Sequence, residues 1–291
     1  MSSTLRITPV SPSLGARVDG VDLSRELPAE TVSEIRRALL KHEVLFFEDQ
    51  DITPEQQRDF AARFGRLHVH PIRPSVPGIP EVLVMGDQPG SESDNSIWRS
   101  DVTFIETPPL GSVLYACEMP RQGGDTIWSS MRAAYGALSS PMQRFLSGLD
   151  AEHDFARSYP VDRFAAAAAG IERFTWTRRE HPPVRHPVVR THPETNRDGL
   201  FVNSGFTTRI LGLNDNESEQ VLKMLCDHIQ KPEFLVRWKW QPGTLAFWDN
   251  RVTQHYTVND YLPHRRILRR ATILGDRPFN RARLTREMAA E

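Results

Sequence analysis

Two cysteines in 291 residues, Cys117 and Cys226, leave no pattern of paired thiols, which excludes a disulfide framework as the basis of the fold. Long apolar runs are also missing: the most conspicuous low-complexity piece, Ala165 to Ala169, is far too short to span a bilayer. Neither sign of charge is in excess, with Lys+Arg 36 against Asp+Glu 37 and a formal net charge of -1. That balance removes the electrostatic case for nucleic acid or an anionic membrane as partner, and leaves small anions held by local arginine clusters. The opening Met1-Ser2-Ser3-Thr4-Leu5-Arg6 lacks the apolar core of a signal peptide, so a cytoplasmic, reduced protein is expected.

What the chain does contain is concentrated between Phe247 and Arg270. His255 is followed by Arg266 eleven positions on and by Arg270 four further. On one strand a step of four is two side-chain periods, so both guanidiniums would point to the same face. Imidazole is a common ligand for first-row metals, and guanidinium holds carboxylate or sulfonate through a fork of N–H donors. Taken alone, these residues are more ordinary as a polar His and solvated arginines.

Pro28 to Lys41 reads as an amphipathic helix, and Thr53-Pro54-Glu55-Gln56 as an N-cap, a first-turn proline and a capping-box Gln, with Gly65 closing that helix. Short β-like runs lie at 44–47, 81–85, 112–117, 125–128, 201–203, 234–240, 244–248 and 266–274, with helices near 131–138, 141–146 and 217–229. Many short strands between Gly and Pro turns predict a mainly β sandwich or barrel with helical additions. No composition break divides residues 1–291, so one domain is expected, with residues 160–184 as an insertion that serves either as a lid or as a surface excursion.

Asp94-Asn95-Ser96-Ile97-Trp98-Arg99-Ser100-Asp101-Val102-Thr103-Phe104, Gly123-Gly124-Asp125-Thr126, His186-Pro187-Val188-Val189-Arg190, Phe206-Thr207-Thr208-Arg209, Trp248 to Tyr256 and Arg270 to Asp276 together resemble the taurine dioxygenase family of Fe(II)/2-oxoglutarate-dependent dioxygenases. The resemblance runs from about Leu5 to Phe279 and implies a double-stranded β-helix, a jelly roll. It implies Fe(II) held by a His-X-Asp motif and a distal His, with open positions for 2-oxoglutarate and O₂. Asp101 then corresponds to the carboxylate ligand and His255 to the distal imidazole, while Arg266 and Thr126 correspond to the residues that bind the far carboxylate of 2-oxoglutarate. His70, the backbone at Val102, and Arg270 correspond to the sulfonate cradle; Phe206 lines it, and Asn95 matches the side that receives an amine.

Three positions depart from the family pattern, the mildest being the aromatic change at Tyr159. The proximal imidazole falls at residue 99, which is Arg99. Guanidinium has no lone pair to give, and a unit charge at ~4 Å from Fe(II) would repel it by about 8 kcal/mol at an effective dielectric near 20. Three arrangements stay open: Arg99 points away and water or His68 or His70 completes the site, Arg99 pairs with Asp101, or the sequence is an altered form of an active enzyme. Arg73 stands where taurine-specific members carry a tyrosine, which makes sulfonates as a class more secure than taurine itself. The resemblance thus implies hydroxylation of the carbon next to the sulfonate of taurine or a related alkanesulfonate, with release of sulfite, an aldehyde, succinate and CO₂, in a homo-oligomeric protein. The other readings are an anion-binding homologue without turnover and an oxygenase of another anion, such as an aryloxyacetate or sulfate ester.

Overall fold

The computed structural model describes residues 5–70, 74–86, 96–162 and 170–288. In chain order its main elements are β1 (Arg6–Pro9), β2 (Ala16–Asp19), α1 (Ala29–His42), β3 (Val44–Phe47), α2 (Pro54–Ala62), β4 (Ser75–Val76), β5 (Ile79–Gly86) and β6 (Gly111–Glu118). Next come β7 (Thr126–Ser130), α3 (Met131–Gly136), α4 (Ser140–Leu146), β8 (Asp150–His153), α5 (Ile171–Glu180), β9 (Val184–Pro187), β10 (Val189–Thr191) and β11 (Asp198–Leu200). The last are β12 (Thr207–Ile210), α6 (Asp215–His228), β13 (Leu235–Trp238), β14 (Leu245–Asp249), β15 (Thr253–Thr257), β16 (Ile267–Ile273) and α7 (Arg281–Met288). Among the described residues no helix is long and apolar enough to cross a membrane.

Eight strands form the main sheet in the order β1-β2-β3-β14-β6-β16-β5-β4, and β13-β7-β15, β12-β8-β9 and β10-β11 form smaller ones. This is the jelly roll that the sequence resemblance implies. Its two layers follow from strand alternation. On β14, Leu245 and Phe247 join Ile35 and Leu39 of α1 and Phe60 of α2 in one core, while Ala246 and Trp248 join Trp128 and Val236 in another. The first core seals the outer face of the sheet under the two helices. The second fills the space between the main sheet and β13-β7-β15.

Local chemistry fixes the helix that covers the outer face. Thr53 Oγ1 accepts from Gln56 N at 3.3 Å, Gln56 Oε1 accepts from Thr53 N at 2.8 Å, and Pro54 starts α2. Gln57, fully buried on that helix, donates to the carbonyls of Val113 (3.1 Å) and Arg269 (2.9 Å) and so ties α2 to β6 and β16.

One expected strand is displaced. Residues 201–203 are not extended pairing; the strand is Asp198–Leu200, paired with β10, and Asn203 instead uses its side chain in a turn toward Phe206. The expected insertion is divided: residues 163–169 lie outside the described residues, Ile171–Glu180 is a helix, and Val184 already belongs to β9. Phe174 of that helix packs on Phe155 with ring centroids 5.5 Å apart, and Arg178 pairs with Asp154.

Phe247→Ala should lower unfolding stability by about 3–5 kcal/mol, because the ring sits fully buried between α2 and the sheet. Urea unfolding checks this, and a loss under about 1 kcal/mol would mean the outer core does not carry the sheet.

Candidate active site

The cavity of interest lies between the two sheets and is lined by Arg99, Thr126, His255, Arg266 and Arg270, backed by Trp128 and Trp248. Three strands deliver four of these side chains. Thr126 opens β7, His255 is the middle of β15, Arg270 lies on β16 and Arg266 just precedes it. Arg266 and Arg270 do share the inward side, as the step of four requires. Arg269 between them turns outward, donating to the carbonyl of Ile52 at 2.6 Å and lying over the Tyr115 ring.

The loop carrying residues 99–104 is held against β15 by backbone bonds. Arg99 N donates to His255 O at 3.1 Å and His255 N to Arg99 O at 2.9 Å, so residues 99 and 255 are direct cross-strand neighbours. Ser100 Oγ donates to Thr253 O at 2.8 Å. Asn250 then grips the next residue from both sides: its Oδ1 accepts from Asp101 N at 2.7 Å and its Nδ2 donates to Asp101 O at 3.0 Å. Val102 comes after it with φ 54, a left-handed conformation that a β-branched residue adopts only when its surroundings force it.

Asp101 is buried against two of the lining residues, Arg270 and His255. Its Oδ2 accepts from Arg270 Nη1 at 2.9 Å and from Ser112 Oγ at 3.3 Å, and its Oδ1 faces His255 Nε2 at 3.6 Å. Burial alone would push its pKa up, but Arg270, His255 and Arg99 outweigh burial and hold the carboxyl well below the usual range. His255 moves the other way from an ordinary imidazole. Burial, opposed by Asp101 and reinforced by Arg99 and Arg270, pushes it down to about 3, so it is neutral at working pH.

Arg266 donates from Nε to Gly124 O at 2.9 Å and from Nη2 to Thr126 Oγ1 at 3.3 Å. The Thr126 oxygen also accepts from Trp240 Nε1 at 2.9 Å, which leaves its own proton for a ligand oxygen. The turn beneath needs its glycine: Gly124 has φ 71, and a Cβ there would meet Arg266 Cδ at 3.0 Å.

Val102 and Phe206 meet in an apolar cluster with Phe104 and Phe155 beside the Asp101 carboxylate. His70 stacks edge-on against His68, their ring centroids 5.9 Å apart. Burial first, then Arg270, lowers the pKa of His68, with Asp101 opposing, and its Nε2 is buried without a hydrogen-bond partner. Asn95, its neighbour Asp94, and Arg73 lie outside the described residues. Trp128 packs on both Trp240 and Trp248, with the Trp248 ring centroid 5.2 Å from that of His255, and Trp98 lies on Tyr256.

Several supporting residues are invisible in the sequence. Asn250 looks like a turn former, and its amide's double hold on Asp101 has no sequence signal. Behind Val102, the Thr103 hydroxyl meets His153 Nδ1 and Asn203 Nδ2, each at 3.0 Å, and the Thr103 carbonyl meets His186 Nε2 at 3.0 Å. Burial lowers the pKa of both histidines, His186 to about 4. Thr103, His186 and Asn250 fall within segments that carry the family resemblance, which is the available hint.

A family model described as taurine catabolism dioxygenase TauD, TfdA family, matches residues 6–272. The chain belongs to the TauD/TfdA family. It is 37% identical over 279 residues to an alpha-ketoglutarate-dependent sulfate ester dioxygenase of Pseudomonas putida, covering 94% of this chain and 91% of that one. It is 35% identical over 277 residues to an alkylsulfatase of Acinetobacter baylyi, covering 94% and 86%. The crystal structure of a taurine dioxygenase from Burkholderia xenovorans superposes with a TM-score of 0.81 at 36% identity, covering 96% and 93%. TauD/TfdA proteins are alpha-ketoglutarate (2-oxoglutarate)-dependent dioxygenases, and membership implies Fe(II), 2-oxoglutarate and O₂.

The donor set of this TauD/TfdA chain falls short of that iron. Asp101 and His255 offer an oxygen and a nitrogen 3.6 Å apart, and the side chain that faces them from residue 99 is a guanidinium, which has no lone pair. Arg99 Nη1 donates to the Ile97 carbonyl at 3.1 Å, and its charge still reaches both Asp101 and His255. Among the described residues no three His, Cys, Asp or Glu gather as a metal cage. Two donors and a fixed cation do not fit Fe(II).

Asn250→Ala should destabilise the protein by roughly 1–3 kcal/mol, since it strips the partners of a buried N–H and a buried carbonyl at Asp101. Unfolding in urea, with Asn250→Asp alongside, measures it; equal stability of Asn250→Ala and wild type would mean the loop is held by other means.

Proposed function

We propose that the pocket recognises 2-oxoglutarate together with an organosulfur anion, and that the reaction is oxygenation of the carbon next to the sulfur group, curtailed in this chain by Arg99. On this reading Asp101 and His255 are the two remaining metal ligands, and Arg266 with the Thr126 hydroxyl holds the distal carboxylate of 2-oxoglutarate. Arg270 and His70 receive the sulfonate or sulfate, supported by the backbone at Val102, with Phe206 against the organic part and Asn95 on the amine-facing side. Oxygenation next to a sulfonate releases sulfite and an aldehyde, and next to a sulfate ester it releases sulfate and an aldehyde, in each case with succinate and CO₂ from the co-substrate. The protein is taken as cytoplasmic and homo-oligomeric.

The observation that carries the substrate class is Arg270: buried, bonded through one N–H to Asp101, the residue before Val102 of the Val102–Phe206 cluster, and with its Nε left without a partner. A cation for the anionic head beside an apolar wall for a chain suits an alkyl sulfate or alkanesulfonate better than taurine. Taurine's ammonium would enter a cavity already lined by three arginines. The sulfate ester dioxygenase and alkylsulfatase relatives support the same order. A second reading, anion binding without turnover, is favoured by Arg99.

Arg99→His should turn over 2-oxoglutarate to succinate with Fe(II), O₂ and ascorbate at least about tenfold faster than wild type, since a lost ligand costs more than the 10–100-fold of an outer-shell change. Succinate, sulfate and sulfite would be measured with hexyl sulfate, hexanesulfonate and taurine. The two hexyl substrates should exceed taurine. No succinate from either protein with any substrate would sink the oxygenase reading.

A further inference from the structure

Val102 is held in a conformation that it would not adopt by itself. Its φ of 54 is left-handed for a β-branched residue, and such backbone persists only where its surroundings over-determine it. On the Asp101 side the Asn250 amide does this. On the other side the loop meets a group of buried side chains, Thr103, His153, His186 and Asn203, to which the proposed function gives no task. His186 lies on β9 and His153 on β8, and among the described residues none of the side chains that line the cavity comes from β8, β9 or β12. That small sheet reaches the pocket only through the loop that it braces.

His186 grips the loop by its main chain. Its Nε2 lies 3.0 Å from the carbonyl of Thr103 and 3.0 Å from that of Ile105. Carbonyls only accept, so Nε2 carries the ring proton and donates to both. His153 and Phe201 pack against the imidazole, with ring centroids 5.1 and 5.6 Å away, and keep it in place. The Thr103 hydroxyl is fixed separately, by Asn203 Nδ2 and His153 Nδ1. Asn203 Oδ1 also accepts from Phe206 N at 2.8 Å, so the same brace ties the loop behind Val102 to the backbone of the Phe206 wall.

We infer that His186 is a positioning residue for the anionic substrate: its Nε2–H, on the carbonyls of Thr103 and Ile105, sets the Val102 backbone in the orientation that receives the sulfate or sulfonate head. The inference rests on the role proposed for the Val102 backbone. His186 acts from behind the loop, through the two carbonyls. Without its N–H those carbonyls lose their donor, and the strained residue is over-determined from the Asn250 side alone.

The test is calorimetric titration of hexyl sulfate into wild type, His186→Leu, His186→Gln and Thr103→Val, each shown by urea unfolding to be folded at the temperature used. His186→Leu should weaken binding about fivefold or more, the scale of a lost hydrogen bond. His186→Gln, whose amide carries an N–H to the reach of Nε2, should return to within about threefold of wild type. A merely structural His186 would lower the unfolding midpoint of His186→Leu and leave the affinity of the folded protein alone. A loss smaller than fivefold in His186→Leu, or His186→Gln as weak as His186→Leu, overturns the inference. If His186→Leu does not fold, Thr103→Val decides: it keeps the shape, loses the hydroxyl held by Asn203 and His153, and should bind about threefold weaker or worse, a smaller loss again overturning the inference. Wild type and variants that bind hexyl sulfate alike remove the inference and leave the proposed function standing; wild type that does not bind it removes both.

Discussion

Two backbone hydrogen bonds, from Arg99 N to His255 O and from His255 N to Arg99 O, decide what this protein can hold. They make residue 99 the direct cross-strand neighbour of the buried imidazole, so its side chain is delivered to the same cavity whatever that side chain is. With an imidazole there, the pocket would offer a third donor to a cation. With a guanidinium it offers a cation of its own. The fold is indifferent to the exchange, because the sheet pairing that sets the position uses only main-chain atoms.

The electrostatic consequence falls on Asp101. A buried carboxylate is stable only when paired, and here Arg270, His255 and Ser112 meet it while Asn250 fixes its backbone from both sides. The charge that would otherwise face a metal is thereby satisfied within the protein. Arg266 and Thr126, at the other side of the cavity, retain a geometry suited to a carboxylate, and the Thr126 hydroxyl keeps a proton to give. On the proposed roles, recognition of anions and retention of a metal would be separable, since they fall to different residues of this pocket.

The elements legible in the sequence are those whose chemistry is local. The capping box at Thr53 and Gln56, the apolar alternation of β14, and the shared face of Arg266 and Arg270 are all readable from spacing alone. The hidden ones depend on distant partners. The strand that carries His255, Thr253–Thr257, is polar in composition yet nearly all buried, because Gln254 donates to the Val202 carbonyl and Thr253 to the Asp249 carbonyl. The strand Asp150–His153 is charged for the same kind of reason, with His153 meeting Thr103 and Asp150 meeting Arg185 and Arg283. Asp249 beside Asn250 reads as a turn. It is in fact clamped by Arg251 at 2.6 Å and His192 at 3.0 Å, a buried network whose members are contributed by separate stretches of chain. Hydrophobic periodicity cannot find such strands, since their inward residues are polar.

The family resemblance compares positions instead of periodicities, and it picks out residue 99 by the same route as the proposed site residues. On the proposed roles, Arg99 stands in a ligand's place and brings a fixed charge there. Equilibrium dialysis against Fe(II) under anaerobic conditions, with iron counted per chain in wild type and Arg99→His, tests this most directly. About one iron per chain is expected in the variant at concentrations where wild type holds almost none, an affinity gap of at least about 100-fold. Equal, stoichiometric iron in both proteins would contradict it.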